Sequence, residues 1–393
     1  VKVVGIDPGT RSFDIVLIEG EEVVDEKSLG TEEVARNPRV LIDALQNLYF
    51  DRVAAPSGYG VPPTFIEDVI DPHRFAVEVL LLSTDEDIDE GVRKGDVGAY
   101  VYRALALIVE ELWRSNIPAM FIPSAILLPT IPTWRKINRI DMGTADKLAV
   151  AALAVYDQST RLGIDYEETS FVLVEMGFGY NAVLAIEGGK VIDGLGGTAS
   201  SIGFLTSGPL DAEVVVVSRR WSRVDVFHGG VVDMCSVDSL EKAFEKALSG
   251  DETCLTAVNS YVEGIVKSVA SILQSFSSKP KEIVVSGRYA RSDIVYESVA
   301  EKLKKFGIPV RRVGMLRGAK RSKEAAQGYA IIGEGLLGGV FHRLVKHMEI
   351  DRACGTVLSW VVHPRARDAK QRVLSAYLES VSKPKLCEEE LRL

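Results

Sequence analysis

Hydrophobic and polar positions alternate in the same way twice along this chain. The stretches VVGIDPGTRSFDIVLIEGEEVVD, from Val3, and FVLVEMGFGYNAVLAIEGGKVID, from Phe171, share one order of elements. Each reads as an apolar strand, an acidic residue, a glycine-containing turn, a second apolar strand, a Glu-Gly turn and a third strand. That order predicts a three-stranded antiparallel meander in each half, with Asp7 and Glu175 at the tip of the first hairpin. The two stretches superimpose at a constant offset of 168 residues, placing Gly9 on Gly177, Ile18 on Ile186, Glu19 on Glu187, Gly20 on Gly188, Val23 on Val191 and Asp25 on Asp193. Hairpin turns favour Gly and Asp for backbone reasons alone, but two carboxylates at matching tips exceed what turn chemistry requires.

Between the meanders the pattern predicts a helix over TEEVARNPRVLIDALQNLYF, a short strand in RVAAPSG, and a loop or insertion from Tyr59 to Glu90. A helix follows in VGAYVYRALALIVEELWRSN and a buried strand in AMFIPSAILLP. MGTADKLAVAALAVYDQSTRLG reads as a linking helix with Thr144 as N-cap and Gly163 as its stop. After the second meander come the glycine- and serine-rich GGTASSIGFLTSGPLD, a β-rich EVVVVS, and two helices around Leu240 and Val262. A strand and helix are then expected from Glu282 to Phe306. The final amphipathic stretch, RARDAKQRVLSAYLESV, can pack back on the first half. Two domains are expected, residues 1–165 and 166–393.

Length supports that division, because 393 residues exceed the usual size of a single core. A net charge of -9 argues against broad phosphate-backbone binding, so no nucleic-acid partner is expected. The basic stretch KLKKFGIPVRRVGMLRGAKRSK reads as a solvated face. The four cysteines are far apart with no CxxC, and His342 and His347 are five residues apart, off one helical face, so a His/Cys metal site is not expected. No secretory signal and no apolar run near 18 residues is present, which predicts a cytoplasmic protein without a membrane span. The chain starts at Val rather than Met, so an initiator or short leader is expected to be missing.

Two hairpin tips facing each other across a cleft would offer free turn amides to the phosphates of a nucleotide, since such amides form anion-binding nests. Two carboxylates beside phosphates imply a divalent cation, and an all-oxygen environment suits Mg²⁺. GIDPGT followed by VEMGFGYNAVLAIEGGKVIDGLGG resembles the two phosphate motifs of the acetate kinase, sugar kinase, heat-shock ATPase and actin superfamily. EIVVSGRYARSDIVYESVAEKL looks like its adenosine motif, and SKEAAQGYAIIGEGLLGG resembles its second connecting helix. Within that superfamily, APSGYGVPP, NRIDMGTADKLAVAALAVYDQ, GGTASSIGFLTSGPLD and AAQGYAIIGEGLLGG are similar to the predicted butyrate-kinase-like family of archaea.

The resemblance implies an α/β fold of two duplicated ribonuclease-H-like (actin-like ATPase) domains around a nucleotide cleft. It implies ATP and Mg²⁺ as cofactors, with Asp7 and Glu175 at the metal. Gly9, Thr10 and Arg11 would surround the phosphates, with Arg11 neutralising a transition-state oxygen. In the second tip Phe178 and Tyr180 replace the glycines and threonine of the commoner motif, while Gly177 and Gly179 still permit close approach. There Asn181 would orient a water or phosphate. Asp146 would be a further acidic group facing the cleft, or alternatively only a favourable charge at a helix N-terminus. Gly287 and Arg288 would approach adenine or ribose.

A hydroxyl acceptor needs a base. A short-chain carboxylic acid, with a pKa of about 4.3 like that of Glu, is already ionised at pH 7. It needs cationic neutralisation and an apolar pocket, for which Arg135, Arg139, Arg220 and Arg223, with YGVPPTF and IGFLTSGPL, are candidates. The expected activity is therefore a kinase acting on a small carboxylate, in a chain able to form a homodimer as many acyl kinases do. A slowly hydrolysing actin-like switch and a sugar or polyol kinase are the alternatives.

Overall fold

The computed structural model describes residues 1–388. The first sheet contains β1 (Lys2–Pro8), β2 (Ser12–Glu19), β3 (Glu22–Gly30), β4 (Arg52–Ala54), β5 (Thr64–Phe65) and β6 (Ala119–Phe121), in the order β3-β2-β1-β4-β6-β5. The second contains β7 (Ser170–Met176), β8 (Asn181–Glu187), β9 (Lys190–Leu195), β10 (Glu282–Ser286) and β11 (Val310–Arg312), in the order β11-β10-β7-β8-β9. In both, the first strand of the meander pairs antiparallel with the second and parallel with the fourth. With β5 set aside as an antiparallel edge, the two halves have one topology, that of a ribonuclease-H-like domain.

The likeness extends to a defect. Leu17 faces Asp25 but Ile18 faces Val23, and Ala185 faces Asp193 but Ile186 faces Val191. Val24 and Ile192, also 168 apart, are therefore the extra residues of matching β-bulges, which bend and twist a strand pair. Hydrophobic alternation alone does not require a bulge, so its repetition independently marks a duplication.

Two buried helices join the halves. The linking helix, Ala145–Leu162, starts after Thr144 and ends at Gly163, whose left-handed φ of 63° terminates it. The return helix, Glu324–Leu336, packs on β1 and crosses the linking helix at Gly328, where a Cβ would lie 2.0 Å from the carbonyl oxygen of Ala149. One apolar core runs through both sheets and both helices, from Val3 and Ile18 through Leu153 and Ala330 to Phe171 and Leu184. Each half also has its own outer core. The last helix, Arg367–Ser380, lies on the first half, with Ala376 and Tyr377 in that outer core. A division at 165/166 thus separates the sheets but not the helices that cover them.

Three local expectations are corrected. TEEVARNPRVLIDALQNLYF forms two helices, Thr31–Arg36 and Arg39–Gln46, because Pro38 pushes Asn37 out of the helical region. The region from Tyr59 to Glu90 is not an open loop: Phe75–Leu80 forms a π-helical turn whose apolar side chains are buried, and Asp85–Arg93 is a helix. EVVVVS is helical, within Ala212–Ser218, and Val216 and Val217 are exposed. β-branched residues favour strands only where a partner strand and a half-buried face receive them, and this stretch has neither.

A disulfide joins Cys354 to Cys387, a pairing that the 33-residue spacing does not reveal. Among the described residues no helix is long and apolar enough to cross a membrane.

Candidate active site

The two hairpin tips face each other across a cleft between the halves, with Asp7, Thr10, Glu175 and Gly179 on its walls. At the first tip, the Gly9 carbonyl accepts from the Thr31 hydroxyl (2.7 Å) and the Arg11 carbonyl from the Thr31 N–H (3.1 Å). Among the described residues no backbone carbonyl accepts from the N–H groups of Gly9, Thr10 or Arg11, nor from those of Phe178, Gly179 or Tyr180. Uncommitted turn amides of this kind form an anion nest. The Gly177 N–H is used differently, closing the second tip onto the Tyr180 carbonyl at 3.0 Å.

Each tip carboxylate is met by a lysine from the start of a connecting helix. Lys323, preceding the return helix, lies 3.4 Å from Asp7 Oδ2, and Lys147, in the first turn of the linking helix, lies 3.4 Å from Glu175 Oε2. Lys147 also pairs with Asp146, whose other oxygen accepts from the Thr144 hydroxyl at 2.5 Å. Burial pushes Asp7 up to about 6, against the pull of Lys323, with Asp146 and Asp14 adding repulsion. Burial likewise pushes Glu175 up to about 7, Lys147 opposing and Asp146 and Asp7 adding. Burial also acts upward on Asp146, but Lys147 and Thr144 outweigh it and hold this carboxyl below its usual range.

The site therefore carries more buried negative charge than its lysines neutralise, and Glu175 Oε2 is buried without a hydrogen bond. That donor set fits Mg²⁺, which Asp7 and Glu175 would hold. Among the described residues no group of three or more His, Cys, Asp or Glu is arranged to cage a metal. Mg²⁺ characteristically takes one or two carboxylates and completes its shell with phosphates and water.

The other candidate residues fall into different roles. Arg11 reaches across the cleft, its guanidinium 4.7 Å from the Phe178 ring and its Nη2 donating to the Asp238 carbonyl at 3.0 Å. Arg288 lies over the same ring at 5.4 Å. Gly287, at φ 94°, must lack a side chain, since a Cβ would lie 2.5 Å from the Met176 carbonyl oxygen and 2.6 Å from Glu175 Oε1. Asn181 is held in place by its neighbours: its amide donates to Ser201 Oγ (3.1 Å) and the Ile202 carbonyl (2.8 Å), while its oxygen accepts from Tyr261 (3.1 Å).

A second cavity, of about 170 Å³, opens beside the cleft between the tips and shares Thr10, Asp146, Lys147 and Tyr180 with it. Its walls are mainly apolar and aromatic, including Tyr59, Tyr102, Leu205 and Phe227. None of the four candidate arginines lines this cavity, but Arg223 reaches two of its wall tyrosines from behind. It donates to the hydroxyls of Tyr59 (2.8 Å) and Tyr102 (2.7 Å) and pairs with no carboxylate among the described residues. Burial pushes the Tyr102 and Tyr180 phenols up, which keeps them protonated as donors. Arg135 instead binds the Ile192 carbonyl at 2.7 Å, away from the cavity, and Arg220 is exposed. Arg139 lines neither cavity.

Sequence reasoning passed over Lys323 and Asp141. Asp141 lines the second cavity and burial pushes it up to about 6, against the Gly143 N–H that donates to it at 2.9 Å. Lys323 lies in a basic stretch that reads as solvated, and only the return helix brings it to β1.

Repeated sheets, crossing helices and tip carboxylates at an interdomain cleft define the fold of the acetate kinase, sugar kinase, heat-shock ATPase and actin superfamily. Solved structures with this architecture include an acetate kinase from Porphyromonas gingivalis (TM-score 0.54, 15% identity, 86% of this chain and 99% of that one). A propionate kinase from Francisella tularensis matches similarly (TM-score 0.54, 12% identity, 83% and 98%). At these identities the likeness is one of fold. The chain belongs to the family described as protein of unknown function (DUF1464), matched over residues 5–363. A protein of Listeria welshimeri named "Probable butyrate kinase" is 25% identical over 155 residues, 36% of this chain and 42% of that protein, so the match spans less than half of the relative.

Proposed function

We propose that this protein is an ATP- and Mg²⁺-dependent phosphotransferase that converts a small carboxylic acid to its acyl phosphate. The observation that carries this reading is the shared wall between the two cavities. A phosphate cleft opens at Asp146 and Lys147 directly onto an aromatic pocket backed by a half-buried arginine without a carboxylate partner among the described residues. Mg²⁺ would neutralise charge on the phosphates there.

Arg223 donates to both tyrosine oxygens, which polarises the phenols and leaves a phenolic hydrogen for an anionic acceptor. The acceptor carboxylate oxygen then attacks the terminal phosphorus, the bond from that phosphorus to the bridging oxygen breaks, and ADP leaves with the electron pair. No proton transfer is required, in keeping with an acceptor already ionised at pH 7. The acetate kinase, propionate kinase and butyrate kinase names among the similar proteins support the same acceptor class.

Asp141 favours a second reading. A carboxyl raised to about 6 at the edge of the acceptor cavity is suited to take a proton from a hydroxyl, as a sugar or polyol kinase requires.

One experiment separates the two. Mg-ATP is supplied with two- to six-carbon carboxylates, or with polyols, and products are trapped with hydroxylamine. Hydroxamate from one acid, lost in Asp7→Ala and reduced by about tenfold or more in acceptor kcat/KM in Arg223→Met, is the expected result, on the scale of one charged hydrogen bond. A hydroxylamine-stable phosphate ester from a polyol, lost in Asp141→Asn, would transfer the assignment to the second reading.

A further inference from the structure

The phosphotransferase reading leaves the two cleft lysines without a task, and their placement is too regular to be only charge balance. Both precede or open a connecting helix, and each approaches one tip carboxylate at 3.4 Å. The meander duplication therefore has a counterpart outside the meanders. Lys147 contacts Glu175 of the second half from the helix leaving the first, and Lys323 contacts Asp7 of the first half from the helix leaving the second.

Their positions along the cleft differ. Lys147 stands on the wall shared by the phosphate cleft and the acceptor cavity. Lys323 stands on the wall shared by the phosphate cleft and a wider opening on the other side, where Arg288 and Arg291 lie. Lys323 also overlies the first tip. Its Nζ donates to the Ser12 carbonyl at 3.0 Å and occupies the space above Gly9, where a Cβ would be 2.1 Å away. Acceptor cavity, phosphate cleft and outer opening thus adjoin in that order, with Lys147 on the first shared wall and Lys323 on the second. A polyphosphate in the cleft with its terminal group toward the acceptor has an ammonium at each end.

We propose that Lys147 and Lys323 form a two-point cationic clamp on the polyphosphate, Lys147 at the transferring phosphoryl group and Lys323 at the phosphates nearer the nucleoside. This rests on the phosphotransferase reading. When the nucleotide enters, each ammonium shifts from its carboxylate toward phosphate oxygens, which frees Asp7 and Glu175 for the divalent cation. A lysine acts here as a point charge on a flexible stem, which suits such a transfer of partners. At the point of transfer, a fixed cation stabilises the charge that develops on the phosphoryl oxygens.

The test is titration calorimetry of the full chain with ATP, ADP and adenosine, in EDTA and again with Mg²⁺, for wild type, Lys147→Met and Lys323→Met. Lys147→Gln and Lys323→Gln, which keep a hydrogen-bond donor but not the charge, run beside them so that the result does not hang on the Met variants folding. Removing Lys147 is expected to weaken ATP by about tenfold or more while ADP changes by less than about threefold, the scale of one charge-assisted hydrogen bond. Removing Lys323 is expected to weaken ATP and ADP alike, and adenosine binding is expected to survive both. An unchanged ATP-to-ADP ratio in the Lys147 variants, or equal loss of adenosine, overturns the clamp while leaving the phosphotransferase reading in place. A wild-type chain that binds none of the three overturns both.

Discussion

Adding one methyl group at Gly328 sets two effects of opposite sign against each other. Alanine is the better helix former by about 1 kcal/mol, so propensity alone predicts stabilisation of the return helix. The structure predicts the reverse. A Cβ at Gly328 would lie 2.0 Å from Ala149 O, 2.2 Å from Ala149 C and 2.8 Å from Ala149 Cα, against an ordinary contact of 3.4 Å or more. All three atoms are backbone, so no rotamer change relieves the clash and the two helices must move apart. Overpacking of a core typically costs about 1–3 kcal/mol and occasionally more; a clash with fixed backbone belongs at the upper end, which leaves Gly328→Ala destabilised by about 2 kcal/mol after the propensity gain of about 1 kcal/mol. Gly333, in the same helix, is the control. Its Cβ would meet Ala54 Cβ and Val3 Cγ1 at 3.0 Å and the Met120 sulfur at 3.6 Å, so a separation of helix and strand by a few tenths of an ångström relieves the contact. Urea unfolding of both variants should show Gly333→Ala near wild type and Gly328→Ala with a lower midpoint at unchanged slope. A Gly328→Ala protein as stable as Gly333→Ala would refute the backbone contact between the helices.

Two further predictions concern other parts of the molecule. His73 is half exposed and lies between Glu110 (2.7 Å) and Asp85 (3.0 Å), which raise its pKa to about 9 from 6.5, the Glu110 contact contributing most. Because the folded value is the higher one, the stabilisation is complete below pH about 6.5 and is lost as pH rises through 9. The melting-temperature gap between wild type and His73→Gln should therefore be largest at pH 6 and vanish by pH 10, and a gap independent of pH would sink the assignment. Reduction of the Cys354–Cys387 bond opens a 33-residue loop. Loop-closure entropy puts its contribution at about 3–4 kcal/mol. Thiol reductant, or Cys387→Ser, should lower the unfolding free energy toward that amount, and no change would mean that the closed loop does not constrain the unfolded chain.

The duplicated meander could be read directly, because strand, turn and acidic residue recur at short range and burial of a sheet face enforces alternation. The superfamily fold followed from it. Asp7 and Glu175 were legible for the same reason, each sitting where an apolar strand gives way to a glycine turn. Local pattern misled at EVVVVS, where β-branched residues had no strand to join, and across Tyr59 to Glu90, where burial comes from the first half's outer core and the last helix rather than from regular periodicity. Lys323 and Arg223 have neighbours in sequence that suggest solvent. Each reaches its site only because a helix or loop from the second half returns to the first. Asn181 carries the polar chemistry expected of a phosphate contact, and Ser201, Ile202 and Tyr261 hold its amide in place. What the sequence by itself determined is therefore the repeated unit and its two carboxylates, since these depend on interactions between residues close in the chain. The lysine partners, the aromatic cavity and the disulfide were decided by tertiary structure, because each joins groups tens to hundreds of residues apart in the chain, and the lysines meet their carboxylates only through the two connecting helices.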